Sequence, residues 1–184
     1  RAIKYNEIVP ASEQVNLQDA AVDAPSNDEC GDAIPVAPGT VTAGTTVGST
    51  DDGVETCVTY YSGGQGVWYE VTGTGNEMSA STCEGAYPGA GADYDTKISV
   101  WCADCEDPTC VTGNDDDYTN GCGYPLYHST ATWCSQLGAT YLIQVHGFAA
   151  ATGDFDLAVY ESGGLCDADV QCLPEGACCS CLDP

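Results

Sequence analysis

Basic residues are nearly absent from this sequence of 184 residues. Only Arg1, Lys4 and Lys97 carry positive charge, against 28 aspartates and glutamates, and the formal net charge is −25. A surface of this charge repels phosphate groups, so nucleic acids and anionic lipids are excluded as expected partners. Because lysine and arginine are too few to pair with the acidic residues, we expect metal cations to supply the missing counter-charge.

Long apolar runs and helical periodicity are absent as well. No stretch approaches the roughly 18 apolar residues of a membrane-spanning helix, so we predict no membrane span. The sequence begins at Arg1 rather than at a methionine and has no signal-peptide core, which indicates a processed chain or a piece of a larger protein. Of the two, we favour an exported protein whose signal has been removed. No segment keeps a helical period over three turns, which favours strands.

Signatures of catalysis are also missing. His128 and His146 are the two histidines, and they lie at the start of and within predicted strands, without a G-x-S-x-G nucleophile elbow. No glycine-rich phosphate loop occurs, and nothing singles out a glycosidase pair among the many carboxylates. We therefore predict that the protein is not an enzyme, and a hydrolase is only the third hypothesis.

Cysteine, by contrast, is abundant. Thirteen cysteines predict structural disulfides, an oxidising compartment and an extracellular or cell-surface location. A zinc site around Cys102-x-x-Cys105 is the alternative, but no second C-x-x-C lies at a finger-like distance. Because thirteen is odd, one thiol is free or pairs with another chain. The predicted pairing is Cys30–Cys57, Cys83–Cys134, pairs among Cys102, Cys105, Cys110 and Cys122, and a tail that closes on itself.

From Cys30 onward the hydrophobic pattern is that of short antiparallel strands. Val67, Tyr69 and Val71 alternate with Trp68 and Glu70, which is the period of two of a half-buried strand. About seven to nine such strands predict an all-β fold, a disulfide-stapled antiparallel two-sheet β-sandwich of jelly-roll type. The predicted strands are Gly39–Gly48, Gly66–Thr74, Met78–Cys83, Thr96–Cys102, Ser129–Cys134, Thr140–Phe148 and Asp154–Glu161.

Composition divides the chain into three regions. Residues 1–29 form an N-terminal extension, a possible donor strand with a linker of weak pattern. Residues 30–164 form the predicted sandwich. Residues 165–184 form a tail that holds five of the thirteen cysteines and is too short for a core of its own.

Two acidic segments flank the predicted strand Thr96–Cys102, and we expect both to lie in loops at neighbouring strand ends. Calcium takes about six to eight oxygen ligands, which such loops can supply. The glycine and final glutamate of an EF-hand are missing, and the alternative is a solvated loop of turn-forming residues. We predict a calcium site whose ligands come from Asp93, Asp95, Asn114, Asp115, Asp116 and Asp117.

Four segments between residues 93 and 161 form a distinctive series: DYDTKISV from Asp93, GNDD from Gly113, GATYLIQV from Gly138 and ATGDF from Ala151. Through these segments, residues 93–161 resemble the bacterial pre-peptidase C-terminal domains. The resemblance implies a small calcium-associated β-sandwich appended to a secreted enzyme or surface protein. By the same resemblance, the best ligand candidates are Asp95, Asn114 and Asp115. The chain departs from the family in its Cys102–Cys110 insertion, its extension and its tail.

Two functions compete ahead of the hydrolase hypothesis. The first is an extracellular structural subunit, stabilised by calcium, that assembles into a filament or surface layer. Ile3, Tyr5, Ile8 and Val9 have the spacing of a short strand, which could pair with an exposed sheet edge of an identical subunit. Repeated head to tail, this contact gives an open filament, and a linker of about 20 extended residues reaches roughly 70 Å. The rival is an extension that folds back on its own sandwich.

The alternative function is a carbohydrate-binding or accessory module of a larger secreted protein, with glycans as partners. The chain has 11 tyrosines, and aromatic residues of strands are expected in the core. Tyr118, Tyr124 and Tyr127 lie in a predicted loop, where their rings could stack on sugars.

Overall fold

The computed structural model describes residues 23–54, 57, 64–102, 104–164 and 166. The predicted donor strand, with Ile3, Tyr5, Ile8 and Val9, lies outside these residues, as does the C-terminal tail except for Cys166. Within them, the regular structure is ten β-strands and one 3-10 turn, Cys30–Asp32. The predicted all-β class is therefore confirmed. No helix in this described part is long and apolar enough to cross a membrane.

Seven of the ten strands coincide closely with predicted ones, and three short or edge strands were missed. The missed strands are β1, β5 and β7. In chain order the strands are β1 Ile34–Pro35, β2 Thr40–Thr45, β3 Gly66–Thr72, β4 Glu77–Ser81, β5 Gly91–Ala92, β6 Thr96–Cys102, β7 Thr109–Asn114, β8 Thr130–Cys134, β9 Thr140–Gly147 and β10 Asp154–Glu161.

The strands form two sheets. The first has the order β1-β3-β9-β6-β7, and the second has the order β2-β10-β4-β8, with β5 also paired to β10. Pairing is antiparallel throughout, except that the two residues of β1 run parallel to β3. The jelly-roll connectivity stays a prediction.

The inner faces of the two sheets share one hydrophobic core. Val67, Tyr69 and Val71 from β3 pack in the same buried cluster as Phe155 and Leu157 from β10. The rings of Tyr69 and Phe155 meet edge to face, with centroids 6.1 Å apart. Each such buried side chain contributes about 1.5–3 kcal/mol. The alternation read from the sequence is therefore the alternation between core and outer face.

The outer face of the first sheet is also covered, which the sequence pattern did not predict. Trp68 of β3, Trp101 of β6 and Leu142 of β9 form a second buried cluster with Cys57. The main chain at Asn27 runs beside β3, where the Trp68 N–H donates to the Asn27 carbonyl at 2.9 Å. Residues before Cys30 thus already belong to the sandwich.

Within the described residues, four disulfides staple the fold, but their pairing differs from the predicted one. Cys30 bonds Cys105 rather than Cys57, and Cys83 bonds Cys122 rather than Cys134. The remaining two bonds are Cys57–Cys110 and Cys134–Cys166, so the tail is joined to β8 at Cys166. Cys102, predicted among the paired cysteines, is in none of these four bonds and is buried in the core cluster.

Tertiary contacts explain the corrected pairing. Cys57 lies against the outer face of the first sheet, where its sulfur meets Cys110 on the edge strand β7. The prediction assumed that Cys30 and Cys57 bracket one local strand pair. Instead, Cys30 is joined to the segment between β6 and β7, and Cys57 is joined to β7 itself. Closing loops of 75 and 53 residues stabilises a fold by about 3–5 kcal/mol each in the chain-entropy account.

Candidate metal centre

The pairing of β6 with β7 brings the two acidic segments together. Asp95 directly precedes β6, while Asp115 and Asp116 directly follow β7. The strands are antiparallel, and Ile98 is aligned with Asn114. The start of β6 therefore lies beside the end of β7, so the carboxylates that flank these ends meet at one corner of the first sheet.

Three of the six predicted ligands form a compact group, which we call the acidic triad: Asp95, Asp115 and Asp116. One carboxylate oxygen from each lies within 4.8 Å of the others, and all three residues are half-buried. In the described part of the chain, Oδ1 of Asp95 and Oδ1 of Asp116 are inaccessible and accept no hydrogen bond. Oxygens in this condition are suited to a cation, because a buried carboxylate oxygen without a donor is costly.

Burial and mutual repulsion disfavour the ionised form of the triad. Burial, together with the charges of Asp116 and Asp115, raises the pKa of Asp95 to about 6 against the opposing effect of Lys97. Burial also raises the pKa of Asp115, with Lys97 lowering it and Asp116 raising it. The triad is thus a concentration of negative charge that a bound cation would relieve.

Lys97 is the nearest counter-charge, and sequence reasoning did not assign it to the site. Its side chain is fully buried, and its Nζ lies 3.8 Å from Oδ2 of Asp115 and 5.8 Å from the centroid of the Phe148 ring. Burial lowers the pKa of Lys97, and Asp115 and Asp95 oppose that shift. The available signal was a rare lysine two residues after Asp95 in a strand.

A single lysine cannot neutralise the triad. If all three carboxylates are ionised, Lys97 balances one of them and two remain. Lys97 is the only lysine or arginine among the described residues, because Arg1 and Lys4 precede them. A divalent cation would complete the charge balance.

The other three predicted ligands lie outside the triad and organise the loops around it. Oδ1 of Asp93 accepts from the Asp154 N–H at 2.9 Å. Oδ1 of Asn114 accepts from the Thr130 N–H at 2.9 Å. Asn114 is the last residue of β7. It was predicted to lie in a loop because the sequence pattern did not reveal β7.

Asp117 is a structural residue of the loop. Both of its carboxylate oxygens accept hydrogen bonds from Asn120, at 2.9 Å from the main chain and 2.8 Å from the side chain. Burial alone would raise the pKa of Asp117, but hydrogen bonds from Thr130, Asn120 and Thr119 outweigh it and hold the pKa below its ordinary value. Its oxygens are already satisfied, so it has little to offer a metal.

Comparison with known proteins gives no family for this chain. No family model matches it, and no curated protein does. The resemblance to the pre-peptidase C-terminal domains stays a prediction.

The loop that carries the triad is tied down on several sides. The Ser129 hydroxyl donates to the carbonyl of Thr96 at 2.6 Å and to the carbonyl of Asp115. The Phe148 N–H donates to the Asp95 carbonyl at 3.0 Å. The Cys83–Cys122 disulfide holds the loop to the end of β4. The triad is therefore largely preorganised.

Exposed tyrosines adjoin the triad. The Tyr118 hydroxyl donates to Oδ2 of Asp116 at 3.2 Å, and its side chain is 67% exposed, while that of Tyr124 is 78% exposed. The rings of Tyr124 and Tyr127 meet edge to face at 5.8 Å. The three loop tyrosines considered for sugar binding thus lie on one loop next to the acidic group.

His146 is too deeply buried to serve as an accessible catalytic group. Nε2 of His146 lies 3.0 Å from the Ser99 hydroxyl, yet each side chain is only 1% exposed. A substrate could not reach this hydroxyl without opening the sheet. Burial, followed by the charge of Lys97, lowers the pKa of His146 to about 3, so its imidazole is neutral.

Proposed function

We propose that the protein is an extracellular structural subunit, a β-sandwich that bound calcium stabilises and that assembles through its N-terminal extension. The observation that carries the calcium part is the acidic triad, in which two inaccessible oxygens, on Asp95 and Asp116, accept no hydrogen bond from the described residues. The four disulfides support an oxidising, extracellular setting.

The donor set favours calcium over other metals. The triad offers carboxylate oxygens alone, whereas zinc prefers cysteine and histidine. Magnesium demands near-ideal octahedral geometry and keeps much of its water, while calcium accepts irregular sets of oxygens from loops. Water molecules and main-chain carbonyls would complete the coordination.

Calcium binding is tested by titrating EDTA-treated protein with calcium chloride in a calorimeter and by thermal unfolding. We expect binding, and stabilisation by about 2.7 kcal/mol when free calcium is a hundred times the dissociation constant. Asp95→Asn should weaken calcium binding at least tenfold while raising the stability of the metal-free protein, because one repelling charge is gone.

The matched control is Asp156→Asn, which removes the same charge from an exposed position on β10. It should leave the calcium affinity almost unchanged. Absence of calcium binding, or an equal loss in both variants, would refute the triad as the site.

Assembly by strand addition is supported by the edge strand β2. It pairs with β10 on one side, and no other strand in the described residues pairs with it. Its sequence from Thr40 to Thr45 contains no lysine or proline. These residues commonly prevent an exposed edge strand from pairing with another chain. Residues 1–9 of the next subunit would supply the missing strand.

The reach of the linker is shorter than the sequence implied. Asn27 is hydrogen-bonded to Trp68 through its carbonyl and its side-chain amide, so a linker to a neighbouring subunit would comprise at most residues 11–26. Fully extended, it spans at most about 55 Å. That length still suffices for a neighbouring subunit with a sandwich of ordinary size.

Assembly is tested by size-exclusion chromatography with light scattering and by electron microscopy. Deleting residues 1–9 should abolish multimers. Val41→Lys places a charge on the β2 edge, where Val41 is 40% exposed, and should also abolish them. Val47→Lys, at a residue 38% exposed just beyond β2, is the control and should assemble normally. Multimers that survive the deletion would overturn strand donation.

A second function, the carbohydrate-binding or accessory module, is favoured by the exposed rings of Tyr118 and Tyr124. Exposed aromatic rings beside hydrogen-bonding groups suit the stacking of sugar rings. Retention on insoluble polysaccharides that is lost in Tyr118→Ala and Tyr124→Ala would support this function. Failure to bind any polysaccharide would refute this second function.

A further inference from the structure

A shallow depression lies on the outer face of the second sheet, beside the open edge strand β2. Its volume is about 480 Å³, and residues of β2, β10 and β5 line it. Ala43 on β2 is aligned with Asp156 on β10, which is aligned in turn with Gly91 on β5. The residues on either side of Asp156 are therefore small, and this leaves space above the sheet for a side chain of another subunit.

Three aspartates surround the depression: Asp93, Asp154 and Asp156. All three are exposed to solvent. Asp154 and Asp156 alternate along β10 with Phe155 and Leu157, which are buried in the core, so their carboxylates lie on the outer face. A partner can thus reach these carboxylates without opening the fold.

The three carboxylates of the depression are more widely spaced than those of the acidic triad. In the part of the chain that the structure describes, only the triad brings three such oxygens within 4.8 Å of one another. The depression therefore does not gather its three aspartates around one metal ion. An ammonium group suits it better, because lysine carries a point charge on a flexible four-carbon stem and needs no complete shell of ligands.

The chain itself has few cations that could occupy the depression. Lys97 is wholly buried beside Asp115, so Arg1 and Lys4 are the basic residues that remain for a contact with a second subunit. Both belong to residues 1–9, the segment proposed to pair with β2. The donated segment and the surface beside its acceptor strand thus carry opposite charges, an arrangement that steers association and fixes register.

The sequence of the extension places Lys4 on the matching face. Side chains alternate along a strand, so Lys4 lies on the opposite face from Ile3 and Tyr5. With Ile3 and Tyr5 on the core side of the sheet, they continue the face of Gly44, where a Cβ would meet core side chains. Lys4 then lies on the outer face, next to Ala43.

The dimensions of a sheet allow Lys4 to reach Asp156. Neighbouring strands are about 4.8 Å apart, so a strand added to β2 lies roughly 10 Å from β10. Aligned with Ala43, the stem of Lys4 crosses the small alanine side chain while its ammonium group stays in solvent near Asp156. The open space above Ala43 is therefore what permits the contact.

We propose that this depression receives Lys4 of the neighbouring subunit and so fixes the face and register of the donated strand. The inference rests on the strand addition proposed above and adds the contact that orients it. A slip of one residue would turn Lys4 toward the core, where an unpaired ammonium is costly.

The test measures the protein concentration above which the full chain forms multimers, by light scattering at constant calcium and salt. Lys4→Gln and Asp156→Asn should each raise this concentration about two- to fivefold, the effect of losing an exposed ion pair. General repulsion predicts the reverse for Asp156→Asn, because that variant lowers the net negative charge. Glu106→Gln is the control, since it removes the same charge from an exposed position between β6 and β7 and should not weaken assembly.

Charge reversal makes the test specific to this pair. Lys4→Glu and Asp156→Lys should each weaken assembly more than the neutral variants do, because each places two like charges together. The double variant exchanges the two charges and keeps the net charge of −25. It should return the assembly concentration to within about twofold of the unmodified protein, since the two changes compensate only if the residues are in contact.

Two results would overturn the role of Lys4 alone. The first is that Lys4→Gln and Asp156→Asn assemble as well as the unmodified protein. The second is that the double charge reversal assembles no better than either single variant. If deletion of residues 1–9 abolishes multimers in the same series, strand addition stands without this contact. Multimers that survive the deletion would overturn strand addition and the inference with it.

Discussion

Nζ of Lys97 lies 3.8 Å from Oδ2 of Asp115, at the end of a lysine side chain that is wholly inaccessible to solvent. A buried ammonium is costly unless a carboxylate or other acceptor accompanies it. Here Asp115 accompanies the ammonium at the corner where β6 begins and β7 ends, beside the acidic triad. The pair thus links the packing of the first sheet to the charge of the candidate metal centre.

Replacing Lys97 by methionine should destabilise the metal-free protein by about 2–4 kcal/mol, because Asp115 then stays beside two other carboxylates without a counter-charge. Urea unfolding in EDTA measures the change. The double variant Lys97→Met with Asp115→Asn should recover much of the loss, since both partners are then neutral. A double variant as unstable as Lys97→Met alone would show that the lysine acts through packing only.

The buried His146 should make the protein sensitive to acid. Burial lowers its pKa from 6.5 to about 3, so the unfolded chain takes up a proton more readily than the folded protein. Its contribution to stability is complete above about pH 6.5 and is lost as the pH falls toward 3. Each unit of pKa depression corresponds to about 1.4 kcal/mol.

The variant His146→Gln measures this effect. Urea unfolding at pH 7 and pH 4.5 should show a smaller loss of stability in the variant than in the unmodified protein. Asp95 acts in the opposite direction, because its pKa is raised to about 6 and it destabilises the protein as the pH rises. Both proteins must therefore be compared in the same buffer with EDTA. Equal losses would contradict a neutral buried imidazole.

The disulfide pairing can be checked by peptide mapping without reduction. Cleavage at acidic residues, of which the chain has 28, should release a linked peptide pair containing Cys30 and Cys105 and another containing Cys57 and Cys110. Thiol labelling beforehand prevents exchange between the cysteines. Recovery of Cys30 linked to Cys57 would support the pairing expected from the sequence and contradict the structure.

Gly113 on β7 should not tolerate a side chain. A Cβ at this position would lie 2.2 Å from the main-chain carbonyl oxygen of Cys57, so either β7 or the disulfide-bonded segment must move. We expect Gly113→Ala to cost about 1–3 kcal/mol or more. Gly91→Ala is the control on another strand, because a Cβ there meets no atom within 4 Å. Equal melting temperatures of the two variants would contradict the close contact.

The candidate metal centre shows how far sequence reasoning reached. Asp95, Asp115 and Asp116 were among the predicted ligands because acidic residues at neighbouring strand ends can converge. The other three predicted ligands, Asp93, Asn114 and Asp117, have side-chain oxygens as well. Those oxygens already accept hydrogen bonds from neighbouring main-chain or side-chain groups. Which aspartates are satisfied locally depends on loop geometry, and residue type alone does not reveal it.

The all-β class and seven strands were determined by the sequence itself, because an alternation such as Val67 to Val71 allows only one face of a strand to meet the core. The partners across the fold were decided by the tertiary structure. Cys30 joins Cys105, Lys97 becomes buried beside Asp115, and Trp101 packs with Cys57 on a face that the alternation predicted to be the outer one. Each of these relationships joins segments whose approach depends on sheet order and loop path. A periodic pattern encodes which face of a strand is buried, but not which distant residue covers it.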